Sequence, residues 1–531
     1  MLKSSYFSTT LISFLCCTAY ANSTHQMLTV VEENAGYVSF YDLTSGKKSG
    51  SVKAGFLPHE IAITQDEKTA YVTNFGIKDY DSGSGIPGAS ISVIDIPSRT
   101  EKYRLYTFNP GEHKDYSQID RAPHGIKLRP PKENQLFVNV EKGNKVLVFD
   151  LTTKKIIKKF DVSPNTHNIF FSPDGKILWL MAAKDGVIRM NADTGEITGT
   201  YASATPVRGL KYTPGNRYLM VSSVNQVTFI DPTTLAVKKQ FNNLGVGPIL
   251  YSDITPDQKF IVSPAAFDNQ VLIIEVETGK VVKRIVTGLN PILALIDESG
   301  KYAYISNATD KHVTRIDMKT FETSNIKTKE GPNGMAFIMP VKKQVHKKLT
   351  FGVALPLSGA NASFGRDMMR GYEYWRLQLE QSGGLFIGGE AYDVNIIYAD
   401  TQSDIANIAL LTNGLISQYH VNILLSTYNL VGYNIEKQIA VENHIPITPP
   451  QLNESAWLPN DMAVGFDNFV TSNFYDQKYF SEYNFKASNY SAVATALGIF
   501  THNALAEAGS LDYATVTKVF EQGKYPIFYQ Y

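Results

Sequence analysis

The sequence predicts a two-part, multidomain molecule: an all-β seven-bladed β-propeller followed by an α/β lobe on a doubly wound parallel sheet. Three observations predict it. A strand-and-turn phrase recurs through the first three hundred residues, a strand–turn–strand phrase interleaves with it, and from Lys347 onward strands alternate with amphipathic helices. At 531 residues the chain is too long for one hydrophobic core.

Taken in chain order, residues 1–21 read as a secretory signal. Lys3 supplies the positive start, Thr10–Ala21 the apolar stretch, and Ala19-Tyr20-Ala21 the small-residue cleavage site. Cys16 and Cys17, the two cysteines of the chain, both lie here. The mature chain is therefore expected to have no thiol chemistry and no disulfide. It carries 49 basic and 50 acidic residues once Lys3 is removed. That balance argues against nucleic acid or an anionic membrane as a partner. No other apolar run is long enough to span a bilayer. A soluble protein exported to the periplasm of a Gram-negative bacterium is expected.

Residues 22–340 carry the repeat. Strand-rich runs end in an acid or amide at Asp42, Asp95, Asp150, Asn191, Asp231, Glu275 and Asp317, spaced 53, 55, 41, 40, 44 and 42 residues apart. A period near 40 with short alternating strands specifies one four-stranded blade per copy. The second phrase reads PHEIAITQDEKTAYVTN at Pro58–Asn74, PHGIKLRPPKENQLFVN at Pro123–Asn139, THNIFFSPDGKILWLM at Thr166–Met181 and VRGLKYTPGNRYLMV at Val207–Val221, with looser copies from Pro248 and Pro291. Its Pro, Asp and Gly residues supply the tight reversals. Only two strands fit before Asp42, and the missing innermost strand stands at the far end as Pro332–Pro340. The last strand is thus expected to complete the first blade and remove the open edge.

The propeller half resembles the YVTN-type seven-bladed propellers of exported bacterial proteins, the tetrapeptide standing here as Tyr71-Val72-Thr73-Asn74. The resemblance implies the fold and leaves function open, since such propellers serve as scaffolds, binders and enzymes. At the channel-facing start of the inner strand stand His59, His124, His167, Arg208, Ile292 and Asn333. Imidazoles from successive blades suit a transition metal or an anion, and a wet channel rim suits the same residues without any ligand. Two long insertions, Phe75–Ser90 and Tyr106–Pro123, leave the same part of the ring, where binding loops are common. Asp79 and Asp81 hint at calcium, but the twelve-residue pattern with its terminal Glu is absent. No metal and no cofactor is assigned at this stage.

Residues 341–348 form a short basic linker, and the lobe occupies 349–531. The expected inward face of its first helix is Met368, Tyr372, Trp375 and Leu379; that of its second, capped at Ser403, is Ile405, Ile408, Leu411 and Leu415. Strands are expected at Lys348–Leu357, Tyr392–Asp400, Val421–Thr427 and Ile445–Thr448. This segment resembles the type 1 periplasmic substrate-binding proteins of branched-chain amino acid ABC transporters, the Leu/Ile/Val-binding type. The matching pieces are GVALPLSGANASFGRDMMRGYEYW from Gly352, Gly388-Gly389, Ala399–Asp404 and Asn422–Asn429. After Ile445–Pro450 most of the second lobe is missing, Gln451–Tyr475 fits neither part, and the chain stops at YPIFYQY. The resemblance implies an amino acid or small carboxylate ligand held by Ser358, Gly359, Ser363, Phe364, Ser426, Thr427, Tyr428 and Thr448, with an ABC permease or another periplasmic protein as partner.

The leading expectation is therefore a non-enzymatic exported binding protein carrying its lobe on a propeller platform. The alternatives are a propeller enzyme at the His-lined channel, lactonase-like or quinoprotein-associated, and an interaction scaffold with a vestigial lobe. No G-x-S-x-G, H-E-x-x-H or phosphate-loop motif occurs.

Overall fold

Each copy of the repeat forms one antiparallel four-stranded sheet, and seven such sheets make a β-propeller. The computed structural model describes residues 26–78, 85–109, 119–341, 344–427, 430–450 and 479–522. The expected leader with Cys16 and Cys17, the Asp79 and Asp81 loop, Tyr428, the Gln451–Tyr475 connector and the terminal YPIFYQY lie outside the described residues.

The recurring acid or amide has a local cause. Asp42 Oδ1 accepts from Ser45 N at 2.7 Å, Asp150 Oδ1 from Thr153 N at 2.7 Å, Asp231 Oδ1 from Thr234 N at 2.9 Å and Asp317 Oδ1 from Thr320 N at 3.1 Å. The side chain thus caps the turn between the third and fourth strand of its blade. Backbone N–H donors hold the Asp42, Asp150, Asp231 and Asp317 carboxyls below their usual range.

Ring closure follows the expected route. Pro332–Ile338 pairs antiparallel with Met27–Glu32, with Met27 opposite Ile338 and Leu28 opposite Phe337, and so becomes the innermost strand of blade one. The innermost strands of blades two to seven are Pro58–Ile63, Pro123–Leu128, Asn168–Phe171, Gly209–Tyr212, Asp253–Ile254 and Pro291–Ile296. The core is divided among apolar wedges between neighbouring blades. Val38 and Phe40 of blade one meet Val72 and Ile94 of blade two, and around the ring Tyr304 and Val313 of blade seven meet Leu28 and Val30 of blade one.

After the linker comes a small mixed sheet with helices. Strands Lys347–Leu355, Glu390–Asp400 and Ile423–Leu424 run parallel, and Leu385–Ile387 adds an antiparallel edge to Glu390–Asp400. An all-parallel sheet was expected; the edge hairpin arises because Gly388 (φ +58°) and Gly389 (φ +90°) make a two-residue turn with both φ values positive. The full binding-protein lobe implied by the resemblance is not established by this fragment of sheet. Helices are α1 (Ala362–Gln381), α2 (Asn407–Ser417), α3 (Leu430–Glu442), α4 (Asn489–Ala508) and α5 (Tyr513–Gln522). Met368, Tyr372, Trp375 and Leu379 of α1 are buried with Phe351 and Val353 on one face of the sheet, while Leu415 and Ala440 pack on the other. Ile405 was expected inward and is 45% exposed. The reason is that α2 begins at Asn407 and Ser403 does not cap it; the Ser403 hydroxyl instead donates to Ser358 O at 2.7 Å.

The two parts pack together through the outer strands of blades one and two. Lys53 Nζ donates to Gln378 Oε1 at 2.8 Å and Gln381 Oε1 at 2.6 Å, Glu101 N donates to Ser382 O at 2.9 Å, and Thr100 Oγ1 donates to Gly383 O at 2.7 Å. Beneath this contact the Glu101–Arg104 pair is buried, and burial pulls His502 of α4 down to about 4.

Candidate metal centre at the channel mouth

A Pro-His dipeptide opens the inner strand in blades two and three, and the same irregularity accompanies it in both. The strand register shifts between Pro58 and Ile61 and again between Pro123 and Ile126. Proline has no N–H for the ladder, so the chain bulges there, and a bulge re-aims the following side chain. His59 and His124 are thereby brought against one another. His167 arrives just before the innermost strand of blade four, its N–H donating to Met181 O at 2.9 Å. Glycines let the inner strands converge: a Cβ at Gly334 would lie 2.7 Å from His59 O, and one at Gly125 would lie 2.4 Å from Asn168 Oδ1.

The three imidazoles form a tilted stack. His59 and His124 have ring centroids 4.1 Å apart at 45°, and His124 and His167 have theirs 3.9 Å apart at 42°. Phe75, from the start of the first insertion, closes the buried side with edge contacts to His59 at 5.3 Å and His124 at 5.0 Å. His124 is fully buried, and neither of its ring nitrogens has a hydrogen-bond partner among the described residues. Burial, then the neighbouring His167 and His59, push its pKa well below the ordinary histidine value. It is thus neutral at physiological pH, the form that binds metals.

Carboxylates flank the stack on both sides. Glu141 Oε1 lies 2.6 Å from His167 Nδ1, an arrangement that puts the proton on Nδ1 and leaves Nε2 with its lone pair. Glu60 Oε1 accepts from Asn168 Nδ2 at 2.9 Å, and the same amide donates to the Tyr251 hydroxyl at 3.0 Å. Two overlapping ligand sets result, His59–Glu60–His124 and His124–Glu141–His167, the ligand atoms of each lying within 4.8 Å of one another. Opposed ligands of an ion with bonds of about 2.1 Å lie about 4.2 Å apart. Tetrahedral ligands at that bond length lie about 3.4 Å apart, so closing either set on an ion draws its side chains inward by up to about 1 Å. Imidazole with carboxylate suits first-row divalent ions over calcium or magnesium.

Of the six channel positions singled out by the repeat, three converge. Arg208 is half-buried and stands outside both ligand sets, Asn333 Nδ2 is bonded to Glu33 Oε2 at 2.7 Å, and Ile292 is buried among Leu250, Ala266 and Ala308. Glu60, Glu141 and Phe75 were not anticipated. Glu60 was legible as the neighbour of His59, whereas nothing in the linear order joins Glu141 to His167.

The loop ends of the C-terminal sheet use most of their polar atoms internally, the buried Thr427 Oγ1 excepted. Ser358 Oγ donates to Asp400 Oδ2 at 2.7 Å, Ser426 Oγ donates to Pro449 O at 2.8 Å, and Thr448 Oγ1 accepts from Ser426 N at 2.8 Å. Gly359 has φ +79° against the Gln402 and Ser403 loop, Ser363 lies in the first turn of α1, and Phe364 packs edge-on against Tyr490 at 4.8 Å. Thr427 is buried beside Glu436 of α3, whose carboxyl burial pushes up to about 8.

No family model matches the chain. It is similar to Antigen Lp49 of Leptospira interrogans serogroup Icterohaemorrhagiae serovar copenhageni (strain Fiocruz L1-130), 26% identical over 183 residues that make up 31% of this chain and 36% of that protein. The match thus spans about a third of the length of the curated relative. Among solved structures, Kuenenia stuttgartiensis hydrazine synthase is similar at TM-score 0.46 and 20% identity, covering 56% of this chain and 93% of that one. Dihydro-heme d1 dehydrogenase NirN in complex with DHE is similar at TM-score 0.44 and 15% identity, covering 59% and 75%. Likenesses this distant leave the chemistry to be read from the residues of this chain. Among the described residues no helix is long and apolar enough to cross a membrane.

Proposed function

We propose that this protein is a metal-dependent propeller enzyme, with a first-row divalent ion held at the channel mouth by His124 and its flanking imidazoles and carboxylates. The observation that carries the reading is His124: a fully buried imidazole, both nitrogens without a hydrogen-bond partner among the described residues, stacked between two further imidazoles. A buried polar group left without a partner costs stability, and an ion at that point would remove the cost. A bound ion of this class polarises a carbonyl and lowers the pKa of its water toward neutrality, which suits hydrolysis of an ester or lactone. The chain's own part is to hold the ligands neutral, to fix the His167 tautomer through Glu141, and to wall off one side with Phe75.

The solute-receptor reading has less behind it, because the loop-end hydroxyls of Ser358 and Ser426 are taken up by the protein itself and one buried hydroxyl, Thr427 Oγ1, is left without a hydrogen-bond partner among the described residues. The test is metal analysis and thermal unfolding of chelated protein reloaded with zinc, manganese, cobalt or copper. One ion of this group should bind near one equivalent and raise the unfolding temperature, and His124→Ala should abolish both effects. Unchanged unfolding with every ion would sink the proposal. Metal binding without hydrolysis of a lactone and aryl-ester panel would keep the centre and remove the hydrolytic step.

A further inference from the structure

A cleft of about 690 Å³ lies where the outer edges of blades one and two meet the linker and α1. Arg99, on the turn that leads into the last strand of blade two, borders it. Its backbone is left-handed at φ +58°, held by Arg99 N donating to Asp95 O at 2.8 Å. The residue is only 8% exposed, and its guanidinium lies 5.3 Å from the centroid of the Phe40 ring. No hydrogen bond or ion pair reaches that guanidinium among the described residues, and burial lowers its pKa with no anion to offset the effect.

The other charged groups bordering the cleft are matched. Arg376 binds Glu373 at 2.7 Å and Glu380 at 3.3 Å, while His346 binds Asp393 at 2.8 Å and Ser98 O at 3.0 Å. Arg99 is left as the cation without an acid. Space is kept for its head group: a Cβ at Gly50 would lie 2.4 Å from Arg99 Nη1. Glycine weakens an outer strand, and here its missing side chain leaves the room that the guanidinium occupies.

We propose that Arg99 anchors an anion site in this interdomain cleft and that the ligand is a small organic monocarboxylate. A buried guanidinium with an unused planar fork matches a carboxylate in two parallel hydrogen bonds. Charge selects the monoanion. Glu380 and Asp393 are already engaged by Arg376 and His346, so the single charge of Arg99 is the one left open, which a single carboxylate matches and a phosphate dianion exceeds. Size selects an organic body, because the cleft far exceeds a bare carboxylate and Val345 and Val394 give it apolar wall. This site is separate from the channel and does not rest on the metal reading.

The test is thermal unfolding and calorimetry of the full chain with millimolar butyrate, benzoate, leucine, inorganic phosphate or chloride. At least one carboxylate should give a saturable rise of about 2–5 °C at a hundredfold excess over its Kd. Arg99→Met should remove that response and leave the unliganded protein as stable or more so, since a buried unpaired charge is lost. Gly50→Ala, whose methyl would push the guanidinium aside, should weaken binding by about tenfold or more. The proposal fails if no carboxylate shifts the parent protein, if phosphate is preferred, or if the Arg99→Met variant still responds. A fall of several degrees in the unliganded Arg99→Met protein would likewise overturn it, by making Arg99 a packing anchor over Phe40.

Discussion

The channel mouth and the loop ends of the C-terminal sheet are both rich in polar side chains, and apart from the buried Thr427 Oγ1 at the loop ends they dispose of their polar atoms in opposite ways. At the mouth, three imidazoles stack with successive centroids 4.1 and 3.9 Å apart, and the central one keeps both nitrogens without a hydrogen-bond partner among the described residues. At the loop ends, Ser358 closes on Asp400, and Ser426 closes on Pro449 and Thr448. The difference teaches where to look for a ligand. A hydroxyl that already caps a turn has little left to offer, whereas a buried nitrogen without a partner carries a cost that a ligand can remove.

The largest expected effect falls on the one strongly perturbed acid beside those loop ends. Burial raises Glu436 to about 8 from an ordinary 4.5, so the folded state holds a proton that the unfolded chain gives up. Its contribution is fully present below pH 4.5 and is lost as the pH rises toward 8. Glu436→Gln should therefore raise stability by about 3 kcal/mol at pH 7 and by almost nothing at pH 4.5. Denaturant unfolding at the two pH values measures it; a pH-independent difference would show that the gain does not come from ionisation.

A smaller effect sharpens the channel side. Glu141 touches His167 and orients it, so Glu141→Gln should weaken metal binding by about 10–100-fold with the protein still folded. Competition against a chelator of known affinity reads the change. An unaltered affinity would move the ligand set to His59, Glu60 and His124 alone.

The smallest effect probes the loop ends directly. Ser358→Ala removes one hydroxyl bond to Asp400 and should cost about 1 kcal/mol of stability, by the same amount with and without branched-chain amino acids. A saturable stabilisation by leucine, isoleucine or valine that the substitution abolishes would break the comparison and return the loop ends to the status of a binding site.

Legibility followed the range of the interactions. The blades could be read because each is closed by neighbours in sequence: alternating strands, tight turns, and an acid that caps its own turn three residues on, as Asp42 does with Ser45. Closure of blade one by Pro332–Ile338 was readable by elimination, since its place in the repeat was vacant. The inward face of α1 was readable from spacings of four, three and four. Ile405 was misplaced because Ser403 resembles a helix cap, while in the structure its hydroxyl joins two loops. The antiparallel edge strand was missed because a three-residue strand carries almost no periodicity.

By itself the sequence determined that the first part is a seven-bladed ring, how that ring closes, and which histidines stand at equivalent places in successive blades. Only the tertiary structure decided that those histidines stack, that Glu141 reaches His167 from the far end of another strand, and that Arg99 is buried without an acid among the described residues. The physical reason is that strand geometry and turn capping are set within a few residues, whereas burial and pairing depend on which blade edges meet. Those meetings join residues tens to hundreds of positions apart, such as Gln378 with Lys53, and no local pattern records them.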